Sequence, residues 1–454
     1  MDIHSLAIRH FLFPLMEKVK GNRIRSYLFS LREMEELSYE DVYVLQREKL
    51  KNLLFHSIST VPAYQGYGEL LASSGEDPVA ILEQLPLCTK KELRSNKERY
   101  LSTTADRGSL IANKTGGSTG EAVQFYLDRK TVEYYEAARW QALSWWGIRL
   151  ADKVVMILGN PAEYNVEQIK RHFRREWLLK NRYVLPGYDL KKKEVARYIR
   201  FIQEKKPVYL YGYASSLDLL AQYVVEEGIP FTHTLKGIVS TSETLYPHQR
   251  KRIEEAFSAP VINEYGAKDG GIIAYECPHG RMHLIAPNLY VEIVDPFTGK
   301  LLPEGEVGEI VVTDLNNYAM PRLRYTMGDL GSLSGEHCPC GLPYPVLGSL
   351  EGRTDDLIVC RNGEKVPGHY IAHIGGTIKG FERYQVIQES IDRFVVKIVK
   401  NDRFDPEEVN FLVRAIKEKA GEVEVRVQFV SHIPPTRSGK HRVVIRNPFE
   451  MPKP

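Results

Sequence analysis

Between residues 153 and 266 four short apolar runs, "KVVMILG", "PVYLYGY", "LKGIVSTS" and "APVINEYG", are separated by stretches whose apolar residues recur at helical spacing. Strands joined through helices can lie side by side only in parallel, each crossover returning the chain to the same edge. The pattern therefore predicts an α/β sheet, with ligand sites beyond the carboxyl ends of its strands. After residue 284 the style changes: "LYVEIVDPFTGKLLPEGEVGEIVVTDL" reads as strand, Pro/Gly turn, strand, a β-rich subdomain. Beyond "LEGRTDDLIV" the runs "RFVVKIVK" and "EVRVQFV" flank a helical pattern, "DPEEVNFLVRAIKEKAG". The reading is a large N-terminal α/β domain over 1–354 and a small, mobile α+β C-terminal domain over 355–454. The first hundred residues are helical in pattern and end in "LPLCTKKELRSN", where Thr89 is placed to cap a helix begun by Lys90, Lys91 and Glu92.

Charge excludes some partners. Sixty-one basic and 58 acidic residues leave a net charge of +3, too balanced to argue for nucleic acid. The clusters Arg171–Arg175 and Lys191–Lys193 read as solvated faces. No apolar run reaches the roughly 18 residues needed to cross a bilayer. The N-terminal "MDIHSLAIRHFLFPLMEKVKG" lacks a cleavage site, so a cytoplasmic protein is expected, with this segment docking on the body as a helix and a membrane-surface helix as the alternative.

One segment concentrates small polar residues. "ANKTGGSTGEAVQF" (112–125) holds Thr115, Gly116, Gly117, Ser118, Thr119 and Gly120. Glycines allow close backbone approach and the hydroxyls can meet phosphate oxygens. Glu121 and Ala122 follow where a Walker loop would carry its lysine, which excludes that motif. Four further segments recur in order: "EYGAKDGG" (264–271), "RYTMGDLG" (324–331), "GRTDDLIVCRNGEKV" (352–366) and "PPTRSGKHR" (434–442). With the opening loop they resemble the ordered motifs of the adenylate-forming superfamily: acyl-CoA synthetases, adenylation domains and luciferases. "GYASSLDLLA" and "LPLCTKKEL" are more narrowly similar to the phenylacetate–CoA ligase-like branch, which includes relatives associated with capsular polysaccharide synthesis.

That resemblance implies an ATP-dependent ligase. A carboxylic acid and ATP would give an acyl-adenylate and pyrophosphate, and the acyl group would pass to a thiol, coenzyme A first among candidates and a carrier protein second; aryl and arylacetic acids lead as substrates. By family counterpart, residues 115–120 cradle the β- and γ-phosphates, Asp329 accepts the ribose hydroxyls with Arg353 beside it, and Tyr265 stacks on adenine within Glu264–Gly266. Ser242 and Glu243 line the base by their backbone. Lys440 supplies the cation for adenylation, Asp355 is the hinge, and Gly363 meets the incoming thiol. Tyr213, Ala214 and Ala267 border the acyl pocket. The chain departs from the family after Tyr-Gly-x, where Lys268 and Asp269 replace the usual Thr/Ser-Glu pair; Asp269 is expected to hold magnesium, and Lys268 either to contact the substrate carboxylate or α-phosphate or to mark weakened or altered chemistry. A homodimer is compatible with this branch.

The five cysteines do not form a disulfide framework, but "CPHGRMH" (277–283) and "HCPCG" (337–341) bring Cys277, His279, Cys338 and Cys340 together as soft ligands for a structural zinc. His283 or His337 can stand in for His279, since spacing does not choose among them. Cys88 and Cys360 read as packing residues. Two rivals accompany the ligase: an adenylate-forming relative that hands its acyl group to a carrier protein, amine or sugar, and a non-catalytic nucleotide-binding descendant.

Overall fold

The computed structural model describes residues 3–72, 77–115, 122–158, 166–187, 190, 192–296, 298–354, 357–361, 365–434 and 442–447. A hairpin of β1 (Ile111–Lys114) and β2 (Gln124–Leu127) precedes the main sheet. That sheet has eleven strands: β3 (Val154–Ile157), β4 (Arg182–Leu185), β5 (Tyr209–Tyr213), β6 (Gly237–Thr241), β7 (Val261–Ala267), β8 (Gly271–Glu276), β9 (Met282–Leu284), β10 (Leu289–Val294), β11 (Gly308–Asp314), β12 (Tyr325–Ser334) and β13 (Val346–Arg353). Their order is β10-β11-β12-β13-β9-β8-β7-β6-β5-β3-β4. The four runs that open the sequence argument are β3, β5, β6 and β7, and they pair in parallel as expected.

From β8 onward every neighbour is antiparallel. The β-rich region is therefore a continuation of the α/β sheet, which reverses its sense at β7. The physical reason is the connection length: the turn after Ala267 is too short for a helical crossover and can only form a hairpin.

Helices cover the parallel half. Arg129–Trp145, capped by Asp128 accepting from the Thr131 amide, buries Ala137, Ala138, Trp140 and Leu143 against Tyr209, Val239 and Ile262. The helix Lys90–Ser95 carries the reciprocal capping box anticipated at Thr89 and Glu92. Buried Arg324 forms an ion pair with Glu292 at 3.0 Å and donates to the carbonyls of Glu83 and Leu85, tying the helical N-terminal region to β10.

The C-terminal part has its own core. A two-stranded unit, β14 (Leu357–Val359) and β15 (Lys365–Pro367), leads into β16 (Phe381–Ser390), β17 (Arg393–Lys400), β18 (Glu424–Phe429) and β19 (Val444–Arg446), ordered β18-β17-β16-β19. Helix Pro406–Ala420 packs Leu412 and Ile416 with Phe394, Val396 and Ile398 of this sheet.

Candidate active site and metal site

The parallel strands end at a cleft of about 1140 Å³. Its floor is the carboxyl ends of β5, β6 and β7, through Tyr211, Thr241, Glu264, Gly266 and Ala267, and one wall is helix Arg129–Trp145. Gly266 must be glycine: a Cβ there would stand 2.8 Å from the carbonyl oxygen of Gly271. Ser242, just past β6, has φ +67°, a conformation that non-glycine residues hold only when the surroundings impose it.

The cleft holds charged groups that sequence reasoning did not find. Glu136 meets Arg182 at 2.8 Å and Arg139 at 3.3 Å, and the Arg139 Nε lies 3.6 Å from the Glu264 carboxylate. Glu264 accepts from the hydroxyls of Thr241 (2.9 Å) and Tyr211, all on strand ends. Burial works against the charge on Glu136, but Arg182 and Arg139 outweigh it and hold its carboxyl at about 2. The signal was available in part: Glu136, Arg139 and Trp140 share one helix face at i, i+3 and i+4 spacing, with Trp140 donating its indole N–H to Glu136 at 3.1 Å.

Strand alternation puts Tyr265 on the other side of β7 from Glu264 and Gly266. There its hydroxyl donates to Asp329 Oδ2 at 2.9 Å, while Arg353 Nε stands 3.4 Å from Oδ1. Asp329 and Arg353 are direct partners in the β12–β13 register. Gly328, at φ +72°, leaves room for them, since a Cβ would come within 3.0 Å of the Arg353 guanidinium. The Tyr265 ring is only 8% exposed and belongs to the core. Burial, then the Asp329 charge, holds its phenol well above its ordinary pKa, so it is a permanent donor.

The remaining site expectations divide. Ala267 and Lys268 line the cleft, as does Ser242. Tyr213 and Ala214 do not; Ala214 is buried as the first residue of helix Ala214–Glu226, and Tyr211, two residues earlier, takes the place at the cleft. The Glu243 side chain accepts from the Ser215 amide at the start of that helix. Asp269 is 5% exposed and faces away from the cleft, accepting the Tyr325 hydroxyl at 2.7 Å while Arg322 donates to its carbonyl oxygen. Among the described residues it belongs to no cluster of three or more side chains able to ligate a metal. These contacts tie the β7–β8 turn to β12 through Tyr325. The Thr115 hydroxyl accepts from the Val123 amide, and the Thr115 amide donates to the Val123 carbonyl, both at 2.9 Å, so Thr115 closes the neck of the loop. Gly116, Gly117, Ser118, Thr119, Gly120, Asp355, Gly363 and Lys440 lie outside the described residues.

The cysteine cluster forms with one correction. Cys277, His283, Cys338 and Cys340 present ligand atoms all within 4.8 Å of one another. Cys277 and Cys338 sulfurs are 3.7 Å apart, and Cys340 Sγ is 3.2 Å from His283 Nε2. A tetrahedral zinc with thiolates about 2.3 Å away would space its sulfurs roughly 3.8 Å apart, so the donors fit that ion. His283 is fully buried, with Nδ1 bonded to the Tyr344 carbonyl at 3.0 Å, which fixes the tautomer that leaves Nε2 free to ligate. His279 and His337 are both exposed, and His337 is occupied edge-on by Tyr39. Placement explains the choice: His283 is buried on β9, while His279 is exposed on the turn before it. Cys88 and Cys360 are buried elsewhere; burial pushes the Cys88 thiol up to about 12, consistent with packing.

Comparison with known proteins bears on the family. The family model for AMP-binding enzymes matches residues 182–318, and that of the CapK C-terminal domain matches 358–447. These matches, with the relatives and solved structures that follow, support the adenylate-forming superfamily. Within it, the chain is an AMP-forming ligase by class. It is 27% identical to phenylacetate–coenzyme A ligase of Thermus thermophilus over 82% of this chain and 84% of that one. It is 25% identical to protein CapK of Staphylococcus aureus over 95% and 96% of the two chains. In fold it superposes on 2-hydroxyisobutyryl-CoA ligase in the postadenylation state with a TM-score of 0.71 at 19% identity, covering 92% and 91%. Against that ligase in its thioesterification state the score is 0.57.

Proposed function

We propose that the chain activates a carboxylic acid with ATP and transfers the acyl group to the thiol of coenzyme A, with aryl and arylacetic acids as the leading substrates. The carrying observation is the end of β7. Its Glu264, Gly266 and Ala267 face the cleft, while Tyr265 between them holds Asp329 on the opposite side. An acid bound in the cleft and a ribose bound to Asp329 would approach each other across a single strand end. The similarity to phenylacetate–coenzyme A ligases supports the acid class and the thiol.

In the first step a carboxylate oxygen attacks the α-phosphorus, and the bond to pyrophosphate breaks. Asp329 accepts the ribose hydroxyls, held by Tyr265 and Arg353 so that both lone-pair edges are aimed before substrate arrives. Lys268, at the rim of the cleft, offers a cation to the reacting carboxylate, and Lys440 a second. In the second step the thiol sulfur attacks the acyl carbon and AMP leaves, after the C-terminal part turns about Asp355 to bring Gly363 to the thiol channel. The site at Cys277, His283, Cys338 and Cys340 holds a structural zinc. The test is pyrophosphate release over a panel of carboxylic acids, repeated with coenzyme A and thioester detection. Release with no acid, under any condition, refutes the reading; adenylation without thioester formation moves the acceptor elsewhere.

A further inference from the structure

The N-terminal helices leave an apolar stripe uncovered. Helices Ile3–Ala7 and Phe13–Lys20, joined through a π turn at Ile8–Leu12, bury Ser5, Ile8 and Glu17. On the outside stand Ile3, Phe11, Leu15 and Val19, with Phe11 75% and Val19 78% exposed. Steps of four drift around an ordinary helix, and the wider π turn holds them nearer one face. The segment is ~27 Å long at 1.5 Å per residue. The patch continues onto helix Val166–Lys180, where His4 bonds the Leu178 carbonyl at 3.2 Å and packs against Trp177; Trp177 and Leu178 are themselves exposed.

The exposed charged side chains described on the two N-terminal helices are basic, with Asp2 preceding Ile3 in the sequence. Between residues 3 and 25 the sole acidic residue is Glu17, buried and paired with Arg25. Lys18 and Lys20 are exposed on helix Phe13–Lys20, Arg23 on the loop that follows it, and Arg171, Arg174 and Arg175 on the neighbouring helix. Glu176, the carboxylate nearest Trp177 in that helix, is taken by Lys180 at 2.9 Å.

We propose that this face docks the protein on an anionic lipid bilayer, with the helices lying in the interface and their apolar side chains entering the acyl boundary. An apolar stripe bordered by cations, with aromatic residues at its edge, is what such a surface takes up. A second copy of the chain fits less well, because a two-fold contact through this face would set like charges against each other. Val19 and Lys20 also border the mouth of the cleft, so docking would place the cleft opening beside the lipid surface.

The test is co-sedimentation of the full chain with vesicles of phosphatidylcholine alone or mixed with phosphatidylglycerol, at low and high salt. Binding to the anionic vesicles alone, falling with salt, is expected. Phe11→Glu with Leu15→Glu should abolish it, and Lys18→Glu should lower the partition coefficient by roughly fivefold or more for the lost cation. Acyl-adenylate formation from a water-soluble acid should be unchanged in these variants, which shows that they fold. Absence of binding to anionic vesicles overturns the proposal, as does binding that the double variant retains. A concentration-dependent dimer erased by the double variant, without vesicle binding, would assign the face to self-association instead.

Discussion

Tyr265→Phe separates two roles for one side chain. If the ring serves by stacking on adenine, phenylalanine keeps the ring and the variant should behave as the parent. The structure puts the weight on the hydroxyl, which donates to Asp329 at 2.9 Å from a site too buried for water to replace it. A hydrogen bond to a charged acceptor is worth about 1.5–3 kcal/mol, and its loss corresponds to roughly 10- to 150-fold. Arg353 at 3.4 Å still restrains the carboxylate, so the lower part of that range is expected. The loss should fall on ATP, raising its KM or lowering kcat/KM for ATP, while the KM of the acid stays put, because Tyr265 lies on the other side of the strand from the cleft. The assay is initial-rate pyrophosphate release with each substrate varied, in Tyr265→Phe, Asp329→Asn and the double variant. Non-additive losses, the double variant close to Asp329→Asn alone, would show that the hydroxyl acts through Asp329. Parent-like kinetics in Tyr265→Phe would refute the reasoning, and a raised acid KM would misplace the strand between the two substrates.

The other outcomes can be stated briefly. The purified protein should carry about one zinc per chain; Cys338→Ala and His283→Ala should lose metal and melting temperature, whereas His279→Ala should lose neither, by metal analysis and thermal melts. Glu136 is held at about 2 against an ordinary 4.5, so its stabilising contribution is present above the ordinary value and is lost as pH falls toward 2. The denaturation midpoints of parent and Glu136→Gln should therefore differ by a constant gap above about pH 4.5 and converge below it. Lys440→Ala should slow adenylation roughly 10²–10³-fold while sparing thioester formation from a pre-formed acyl-adenylate, measured in single turnovers.

Much of the fold is legible in the sequence because it rests on local periodicity. The parallel strands, the Thr89–Glu92 box and the α+β ending each declare themselves within a window of about 15 residues. The site is less legible where its members come from distant windows. Glu136, Arg139, Arg182 and Glu264 sit on a helix and two strands, and only packing brings them to one cleft. The contact between Asp269 and Tyr325 was equally out of reach, since the two residues are 56 positions apart and meet only through packing. The histidine of the metal cluster was undecided by spacing and is decided by placement, His283 being buried on β9 and His279 exposed on the turn.

The order of the main sheet gives the metal cluster a mechanical consequence. After β9 the chain crosses to the sheet edge at β10 and steps back inward through β11 and β12 to β13, which pairs with β9. That return is held by two register pairs, Val346 with His283 and Leu347 with Met282, whereas β12 and β13 share six. The sheet thus has a seam, and the cysteines lie on both of its banks, 61 residues apart in Cys277 and Cys338. A link closing a loop of that length removes chain entropy worth ~4 kcal/mol from the unfolded state, by the relation used for disulfides. With a metal bound there, the antiparallel half, with Asp329 and Arg353 on it, would be riveted to the half that carries Tyr265. A chelator should loosen the nucleotide side of the site without touching any residue that meets the nucleotide, by letting amide exchange begin at β9 and β13.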